Sequence, residues 1–265
     1  MINVSRIQDY LLLRGDCLQL MKDIPDHSVN LILTDPPYNL AKYSTGNLSF
    51  DWRADRNNDI AGWDLTELRP AELIGEFTRI LAPNGNIFMF CSYNLIGEYH
   101  KVFDPVFDTF QFVVWHKKNP VPNFRKTSFL NSCELIVACW NKGHTWNFTA
   151  QNEMHNFIEE SICMGAERIK DRDGKTLHPT QKPVAVLEKI IKIASNERDL
   201  VLDCFSGVAS TGEAALKLNR RYLGIELDDT YCDASERRLA KYRKAQIAKI
   251  VNCDKTQEQQ WANYG

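Results

Sequence analysis

The sequence lacks the features that mark several large classes of protein. No apolar run reaches the roughly 18 residues of a membrane-spanning helix, and residues 1–9 do not follow a signal-peptide pattern. None of the eight cysteines forms a C-x-x-C pair, which argues against a zinc site or a disulfide framework. Neither sign of charge dominates, because 32 Lys and Arg residues oppose 34 Asp and Glu residues. We therefore expect a cytoplasmic protein with buried free thiols and no membrane partner, and we exclude a strongly basic, histone-like binder.

The chain does contain the apolar content of a globular protein, with 44% hydrophobic residues among 265. Amphipathic helical patterns are predicted over Pro70–Leu81 and Pro183–Ala194. Strands alternating with helices predict an α/β fold, in which a mostly parallel sheet has helices on both faces and binds its ligands at the carboxyl ends of the strands. Seven short runs rich in β-branched and aromatic residues are the predicted strands: Leu11–Leu13, Asn30–Leu33, Ile87–Phe90, Phe112–Trp115, Leu135–Trp140, Leu200–Leu202 and Tyr222–Ile225.

The sharpest motif, Asp35-Pro36-Pro37-Tyr38, directly follows the second predicted strand. Asp35 supplies a carboxylate acceptor, and the two prolines hold the backbone extended so that the Pro36 carbonyl has a fixed direction. Tyr38 supplies a flat face for stacking. Acceptors beside an aromatic face suit an exocyclic amine on a planar base, whose lone pair becomes available when both of its N–H groups donate hydrogen bonds. The alternative is an ordinary loop, since Asp-Pro and Pro-Pro pairs are common in turns.

With two downstream motifs, the chain resembles the β-class of bacterial DNA amino-methyltransferases, in which the catalytic motif precedes the cofactor motif. The resemblance spans about residues 11–239. It rests on three stretches in this order: Asp35-Pro36-Pro37-Tyr38, His178-Pro179-Thr180-Gln181-Lys182-Pro183, and Leu202-Asp203-Cys204-Phe205-Ser206-Gly207.

The resemblance implies a single class I methyltransferase domain over residues 1–265, Rossmann-like, with a seven-stranded mixed sheet in circularly permuted order. It implies S-adenosylmethionine as methyl donor and no metal. Glu226 lies 23 residues after Asp203, close to the roughly 20 expected for an acid that holds ribose hydroxyls. Asp16 either caps the next helix or, with Cys17, contacts the adenine of the cofactor. Thr180 and Lys182 are expected at its methionine carboxylate, or alternatively at a helix cap and in solvent. The cofactor residues implied are Asp16, Cys17, Thr180, Lys182, Asp203, Phe205, Gly207, Ser210, Thr211 and Glu226.

The cofactor loop departs from the family pattern at two positions. Cys204 stands where the family has proline, and Ala209 stands where it has its second glycine. If residue 209 needs a positive φ, alanine costs roughly 1–2 kcal/mol there. The departure makes a catalytically impaired DNA-binding homologue one alternative.

Double-stranded DNA is the partner that the resemblance implies, with the target base flipped out and stacked on Tyr38. Asp35 favours adenine N6 as the methylated atom, because related enzymes that modify cytosine N4 usually have Ser there; the cytosine-N4 enzyme is the second alternative. Residues 141–175 are the expected target-recognition insertion, and 252–265 a tail. Related enzymes are often homodimers, and many have a cognate restriction endonuclease. The expected phosphate contacts, which could also be an ordinary solvated loop, are Lys117, Lys118, Arg125 and Lys126.

Overall fold

A computed structural model of the chain describes residues 1–38, 68–123 and 126–243. The helices are α1 (Cys17–Leu20), α2 (Pro70–Ile80), α3 (Ile96–Phe103), α4 (Val184–Ala194), α5 (Ser210–Lys217) and α6, which is described over 229–243. The strands are β1 (Tyr10–Arg14), β2 (Val29–Thr34), β3 (Leu81–Cys91), β4 (Thr109–Lys117), β5 (Cys133–Trp140), β6 (Phe157–Glu160), β7 (Leu200–Asp203) and β8 (Arg221–Glu226).

These strands form one sheet in the order β1-β8-β7-β2-β3-β5-β4-β6. Neighbours are parallel except around β5, which is antiparallel to both β3 and β4. The mixed α/β sheet is therefore as predicted, but the expected number of seven strands is wrong. The eighth strand, β6, is a four-residue edge strand in which only Ile158 is buried, so it carries no apolar run that sequence patterning could detect.

Helices cover both faces of the sheet, as predicted. On one face, Leu73, Phe77 and Ile80 of α2 pack into a core with α1 and α3. On the other face, α4 contributes Leu187 and Ile191 to a second core, together with α5 and α6. The three-to-four residue spacing of these apolar positions is the pattern that predicted both helices.

The permuted strand order brings four strand ends together at one edge of the sheet. In β1 and β8, Arg14 pairs with Glu226, and in the neighbouring strands β2 and β7, Ile32 pairs with Leu202. β7 lies between β8 and β2, so Glu226, Asp203 and Asp35 all follow or end adjacent parallel strands. This edge is where a parallel sheet presents functional side chains.

Residues 141–175 are partly built into the domain. Trp146 stacks on Phe88 of β3 at 6.5 Å between ring centroids, and the Asn147 side chain donates to the carbonyls of Lys192 and Ser195 at 2.9 Å. The segment also contains β6. Target recognition by its remaining residues stays a prediction. Arg125, residues 39–65 and the expected tail 252–265 lie outside the described residues. Within the described ranges, the structure contains no helix that is both long enough and apolar enough to cross a membrane.

Candidate active site

Asp35 lies at the carboxyl end of β2 with its side chain only 22% exposed. One of its oxygens, Oδ2, forms an ion pair with Lys182, the lysine of the second motif. The other oxygen, Oδ1, is buried and has no hydrogen-bond partner among the described residues. Burying a carboxylate oxygen without a hydrogen-bond donor costs free energy. Oδ1 is therefore suited to accept a hydrogen bond from an N–H group of a bound substrate.

The Lys182 ammonium opposes the effect of burial on the pKa of this carboxylate. Burial raises the pKa of Asp35, since a charged carboxylate loses its hydration, and the adjacent Lys182 partly offsets that increase. Burial also tends to lower the pKa of Lys182, but Asp35 and Glu134 outweigh it and the Lys182 pKa is raised. Lys182 therefore stays protonated. The structure places the Lys182 ammonium against Asp35, and its expected contact with the methionine carboxylate of the cofactor stays a prediction.

Tyr38 forms one wall of the same site. The Lys182 Nζ lies 5.3 Å from the centroid of the Tyr38 ring and 5.0 Å from that of Phe90, within the range of a cation–π contact. The Tyr38 hydroxyl donates a hydrogen bond to Glu134 at 3.2 Å. Burial raises the pKa of Tyr38 well above its usual value, so the hydroxyl remains a donor. Pro36 and Pro37 join Asp35 to Tyr38 in a segment that is neither helix nor strand, and an extended backbone there is what the two prolines predict.

Asp203 of the third sequence motif is linked directly to β2, the strand that ends just before Asp35. Its Oδ1 accepts hydrogen bonds from the Thr34 hydroxyl at 2.7 Å and from the Phe205 N–H at 3.2 Å. Burial raises the pKa of Asp203 to about 6, although bonds from Thr34 and Thr211 oppose the change. Cys204 is buried and lies 3.6 Å from the Thr34 hydroxyl. Burial raises the pKa of the Cys204 thiol well above its usual value, so this residue fills the core and is not a nucleophile.

Glu226 fixes the turn between β7 and α5. Its Oε2 accepts the Gly207 N–H at 2.7 Å, and its Oε1 accepts the N–H groups of Leu227 and Asp228 at 2.9 Å. Each carboxylate oxygen has a second lone pair, so Glu226 can also accept bonds from a ligand's hydroxyl groups. Burial raises the pKa of Glu226, while these three N–H groups oppose the change.

The turn is strained at Ala209, a position for which the sequence left the sign of φ open. Ala209 has φ +55° and ψ +45°, and Gly207 has φ +52°. A Cβ on Gly207 would lie 3.0 Å from the His178 Nε2, so the loop also needs glycine for close packing. Arg238 of α6 holds the strained segment by donating to the Val208 carbonyl at 2.8 Å and to the Ser210 hydroxyl at 3.0 Å. Hydrogen bonds from the buried Arg238 thus hold the residues on either side of Ala209, and they support a positive φ that glycine would adopt at lower cost.

The other residues predicted to bind the cofactor differ in their burial and in their contacts. Asp16 caps α1 by accepting the Leu18 N–H at 2.8 Å, which is the capping alternative and leaves adenine contact a prediction. Cys17 is buried, and burial raises the pKa of its thiol to about 12. Thr211 is buried beside Asp203, whereas Thr180 is exposed. The Ser210 hydroxyl accepts a hydrogen bond from Arg238, so its side chain faces α6.

The predicted phosphate contacts divide into two groups. Lys118 and Lys126 are exposed in the connection between β4 and β5. Lys117 is different, because its side chain is only 13% exposed and its ammonium forms an ion pair with Glu134 at 2.8 Å. Lys117 thus belongs to the buried charges of the site.

Glu134 is the residue that sequence reasoning missed. It lies in β5, contacts Lys117, Lys182 and Tyr38, and has a side chain only 18% exposed. The two lysines outweigh the effect of burial and lower its pKa, so Glu134 is ionised. The only signal in the sequence is an acid at the start of a strongly apolar strand, which does not reveal its partners.

A sequence family described as DNA methylase matches residues 29–237. The chain belongs to this family. The methylase is 35% identical to the Type II methyltransferase M.HinfI of Haemophilus influenzae, over 90% of this chain and 71% of that one. It is 28% identical to the Type II methyltransferase M2.MboI of Moraxella bovis, covering 87% and 88% of the two chains. The predicted DNA methyltransferase is thereby confirmed.

Solved structures agree with this fold. The M1.HpyAVI–SAM complex matches the methylase with a TM-score of 0.63 and 28% identity, covering 87% of this chain and 100% of that one. The cytosine-N4-specific PvuII DNA methyltransferase matches with a TM-score of 0.64 but 18% identity, covering 86% and 85%. The second likeness concerns the fold alone.

Replacing Lys182 with methionine tests the control of the Asp35 charge. Without the ammonium, burial acts unopposed by Lys182 and the pKa of Asp35 rises further. We expect kcat to fall by about 10²-fold at neutral pH. In the pH profile of kcat, the rise on the acidic side, the acidic limb, should move to higher pH. Cofactor affinity, measured by calorimetry, should change little. An acidic limb unchanged from wild type would contradict the role assigned to Lys182.

Replacing Asp203 with asparagine tests the cost of its buried charge. The folded chain holds a proton on Asp203 up to about pH 6, whereas the unfolded chain releases it near pH 4, so this residue's contribution to stability falls as pH rises between those values. An asparagine at this position does not titrate, so the Asp203→Asn variant does not lose stability in this way as the pH rises. We expect its free energy of unfolding to exceed that of wild type by roughly 1–3 kcal/mol at pH 7.5 and to match it near pH 4. Urea unfolding at both pH values measures this, and Asp173→Asn, at an exposed position, is the control.

Proposed function

We propose that this methylase transfers a methyl group from S-adenosylmethionine to the N6 amine of a flipped-out adenine in double-stranded DNA. The observation that carries the proposal is the Asp35 carboxylate, which is ion-paired through Oδ2 while its buried Oδ1 lacks a donor among the described residues. An exocyclic amine offers the N–H group that this oxygen needs. Tyr38 lies beside it as an aromatic face on which a base can stack.

Asp35 and the prolines prepare the amine rather than form a bond to it. In adenine the N6 lone pair is delocalised into the ring and is a weak nucleophile. When Asp35 Oδ1 and the Pro36 carbonyl accept the two N–H groups, the lone pair is directed out of the base plane. Lys182 keeps Asp35 ionised, so the carboxylate can also receive the proton that the methylated amine must lose. The thiols of Cys91 and Cys204, next to the site, take no part, because burial raises the pKa of each, that of Cys91 to about 12.

The residues at the edge of β7 and β8 fit S-adenosylmethionine. Glu226 has lone pairs free to accept ribose hydroxyls, and the turn from Asp203 to Ala209, with positive φ at Gly207 and Ala209, leads into the N-terminus of α5, where backbone N–H groups can face a ligand. When bound, the cofactor supplies an electrophilic methyl group. The described residues contribute its binding surface through Asp203, Phe205, Gly207 and Glu226, and they hold the reacting amine from the neighbouring strand.

Adenine is favoured over cytosine by Asp35 itself. In the related enzymes that the motif resembles, Asp at this position accompanies adenine N6 methylation, whereas Ser is usual for cytosine N4. The ionised carboxylate is maintained here by a dedicated ion pair, which a serine would not need. The relatives named Type II methyltransferases support a restriction-modification setting, with a cognate endonuclease as partner. A homodimer remains a prediction from the family.

Replacing Asp35 with alanine tests the proposed chemistry. The variant loses the amine acceptor but retains Asp203 and Glu226, so we expect methyl transfer to fall by about 10³-fold or more while cofactor affinity is preserved. Transfer of a labelled methyl group to DNA, followed by identification of the modified nucleoside, measures both activity and base. Asp104→Ala, at an exposed position directly after α3, is the control. Activity of Asp35→Ala equal to wild type, or N4-methylcytosine as product, would overturn the proposal.

The connection from Lys118 to Ser132 is the proposed DNA-facing surface. It leaves the sheet at the end of β4 and returns at the start of β5, where Lys117 and Glu134 join it to the catalytic site. Lys118 and Lys126 are exposed, and Phe129 is fully exposed in the same segment. Basic side chains next to an exposed aromatic ring suit a nucleic-acid backbone and its bases.

Replacing Lys118 and Lys126 together with alanine tests this surface. Loss of two phosphate contacts should weaken DNA binding and reduce the slope of log K against log salt by about 2, with little dependence on sequence. Binding titrations at several salt concentrations measure the slope. Lys101→Ala, an exposed lysine on α3, is the control. A slope equal to wild type in the double variant would place the phosphate contacts elsewhere.

A further inference from the structure

We propose that Glu134 is a positioning residue for methyl transfer, which acts through Lys182 and Tyr38. The inference deepens the proposed function and rests on it, because Glu134 does not contact the reacting amine. Its place is fixed by β5, the antiparallel strand, where Glu134 pairs with Trp115 of β4. Glu134 thus enters the site from an element that none of the three sequence motifs includes.

Glu134 lies between two lysines in a row of alternating charges. Its Oε1 is 2.8 Å from the Lys117 ammonium, and its Oε2 is 3.4 Å from the Lys182 ammonium. Lys182 in turn contacts Asp35. Such a buried row stabilises each charge through its neighbours, so removing one charge disturbs the position of the next.

The position of Lys182 determines which oxygen of Asp35 is available. The ammonium lies over the rings of Tyr38 and Phe90, contacts Asp35 on Oδ2, and is drawn toward β5 by Glu134. Without the attraction from Glu134, Lys182 would be free to move fully onto Asp35 and compete for Oδ1. That oxygen is the one proposed to accept the amine, so Glu134 keeps it accessible.

Glu134 also holds the stacking residue. The Tyr38 hydroxyl donates to the same Oε2 that faces Lys182, at 3.2 Å. This bond fixes one end of a ring whose plane must match that of the flipped base. One carboxylate therefore sets both the hydrogen-bonding and the stacking side of the proposed base pocket.

The test is Glu134→Gln, which removes the charge and keeps the shape. We expect kcat to fall by about 10²-fold, the loss typical of a displaced reacting group, with the KM for S-adenosylmethionine unchanged. The acidic limb of kcat should move to lower pH, because Asp35 loses a neighbouring negative charge and Lys182 approaches it. This direction is opposite to that expected for Lys182→Met. A merely structural ion pair would lower the amount of folded enzyme without moving the pH profile.

Glu188→Gln is the matched control, since Glu188 of α4 forms an ion pair with Lys217 of α5 at 3.4 Å, away from Asp35 and outside residues 141–175. It should keep wild-type kcat and pH profile. If wild type does not methylate DNA, the proposed function itself fails. If wild type is active and Glu134→Gln keeps wild-type kcat and acidic limb, the positioning role alone is overturned.

A second variant covers the case in which Glu134→Gln does not fold, as judged by lost cofactor binding in calorimetry. Lys117→Gln leaves Glu134 in place but removes its outer cation, which frees Glu134 to shift toward Lys182. We expect kcat to fall roughly 3- to 30-fold, the range for residues coupled in one network, with cofactor affinity unchanged. An unchanged kcat in Lys117→Gln would then overturn the proposal.

Discussion

The central constraint on this protein is that a carboxylate must stay ionised in a place with little water. Burial raises the pKa of Asp35, and the ion pair with Lys182 opposes that increase. Lys182 is itself buried and needs a second anion, which Glu134 provides, and Glu134 needs Lys117. The proposed base pocket therefore depends on a connected set of charges contributed by β2, the segment before α4, and strands β4 and β5.

The same strand edge carries a second buried acid with a different environment. Asp203 has no lysine beside it in the part of the chain that the structure describes, and its pKa rises to about 6. It is held by hydroxyl and backbone donors, the first of them from Thr34 at the end of the catalytic strand. Thr34 therefore links the two halves of the site, because it immediately precedes Asp35 and hydrogen-bonds to the cofactor motif. Burial raises the pKa of both acids, but a lysine opposes that effect at Asp35, whereas only hydroxyl and backbone donors oppose it at Asp203.

Much of this arrangement could be predicted from the sequence, because β-branched runs and helical periodicity are local signals. They identified seven strands and the helices α2 and α4, and the resemblance to a known family implied the permuted order of the sheet. The departure at a glycine position raised the positive φ of Ala209 only as a condition, and no local pattern indicates the buried Arg238 that bonds on both sides of it. Strand β6 was missed because it has one buried residue and no run. Glu134, and the place of Lys182 against Asp35, depend on which strands become neighbours, and no local pattern encodes that.

The central claim is that this chain methylates adenine N6 at a defined DNA sequence. The most direct measurement is to express the full chain in a host without DNA methylation and to sequence the host genome with a method that distinguishes modified bases. The account predicts N6-methyladenine at one recurring sequence, and its absence when the host carries the Asp35→Ala variant. N4-methylcytosine at that sequence, or a genome left unmodified by the soluble wild-type chain, would contradict it.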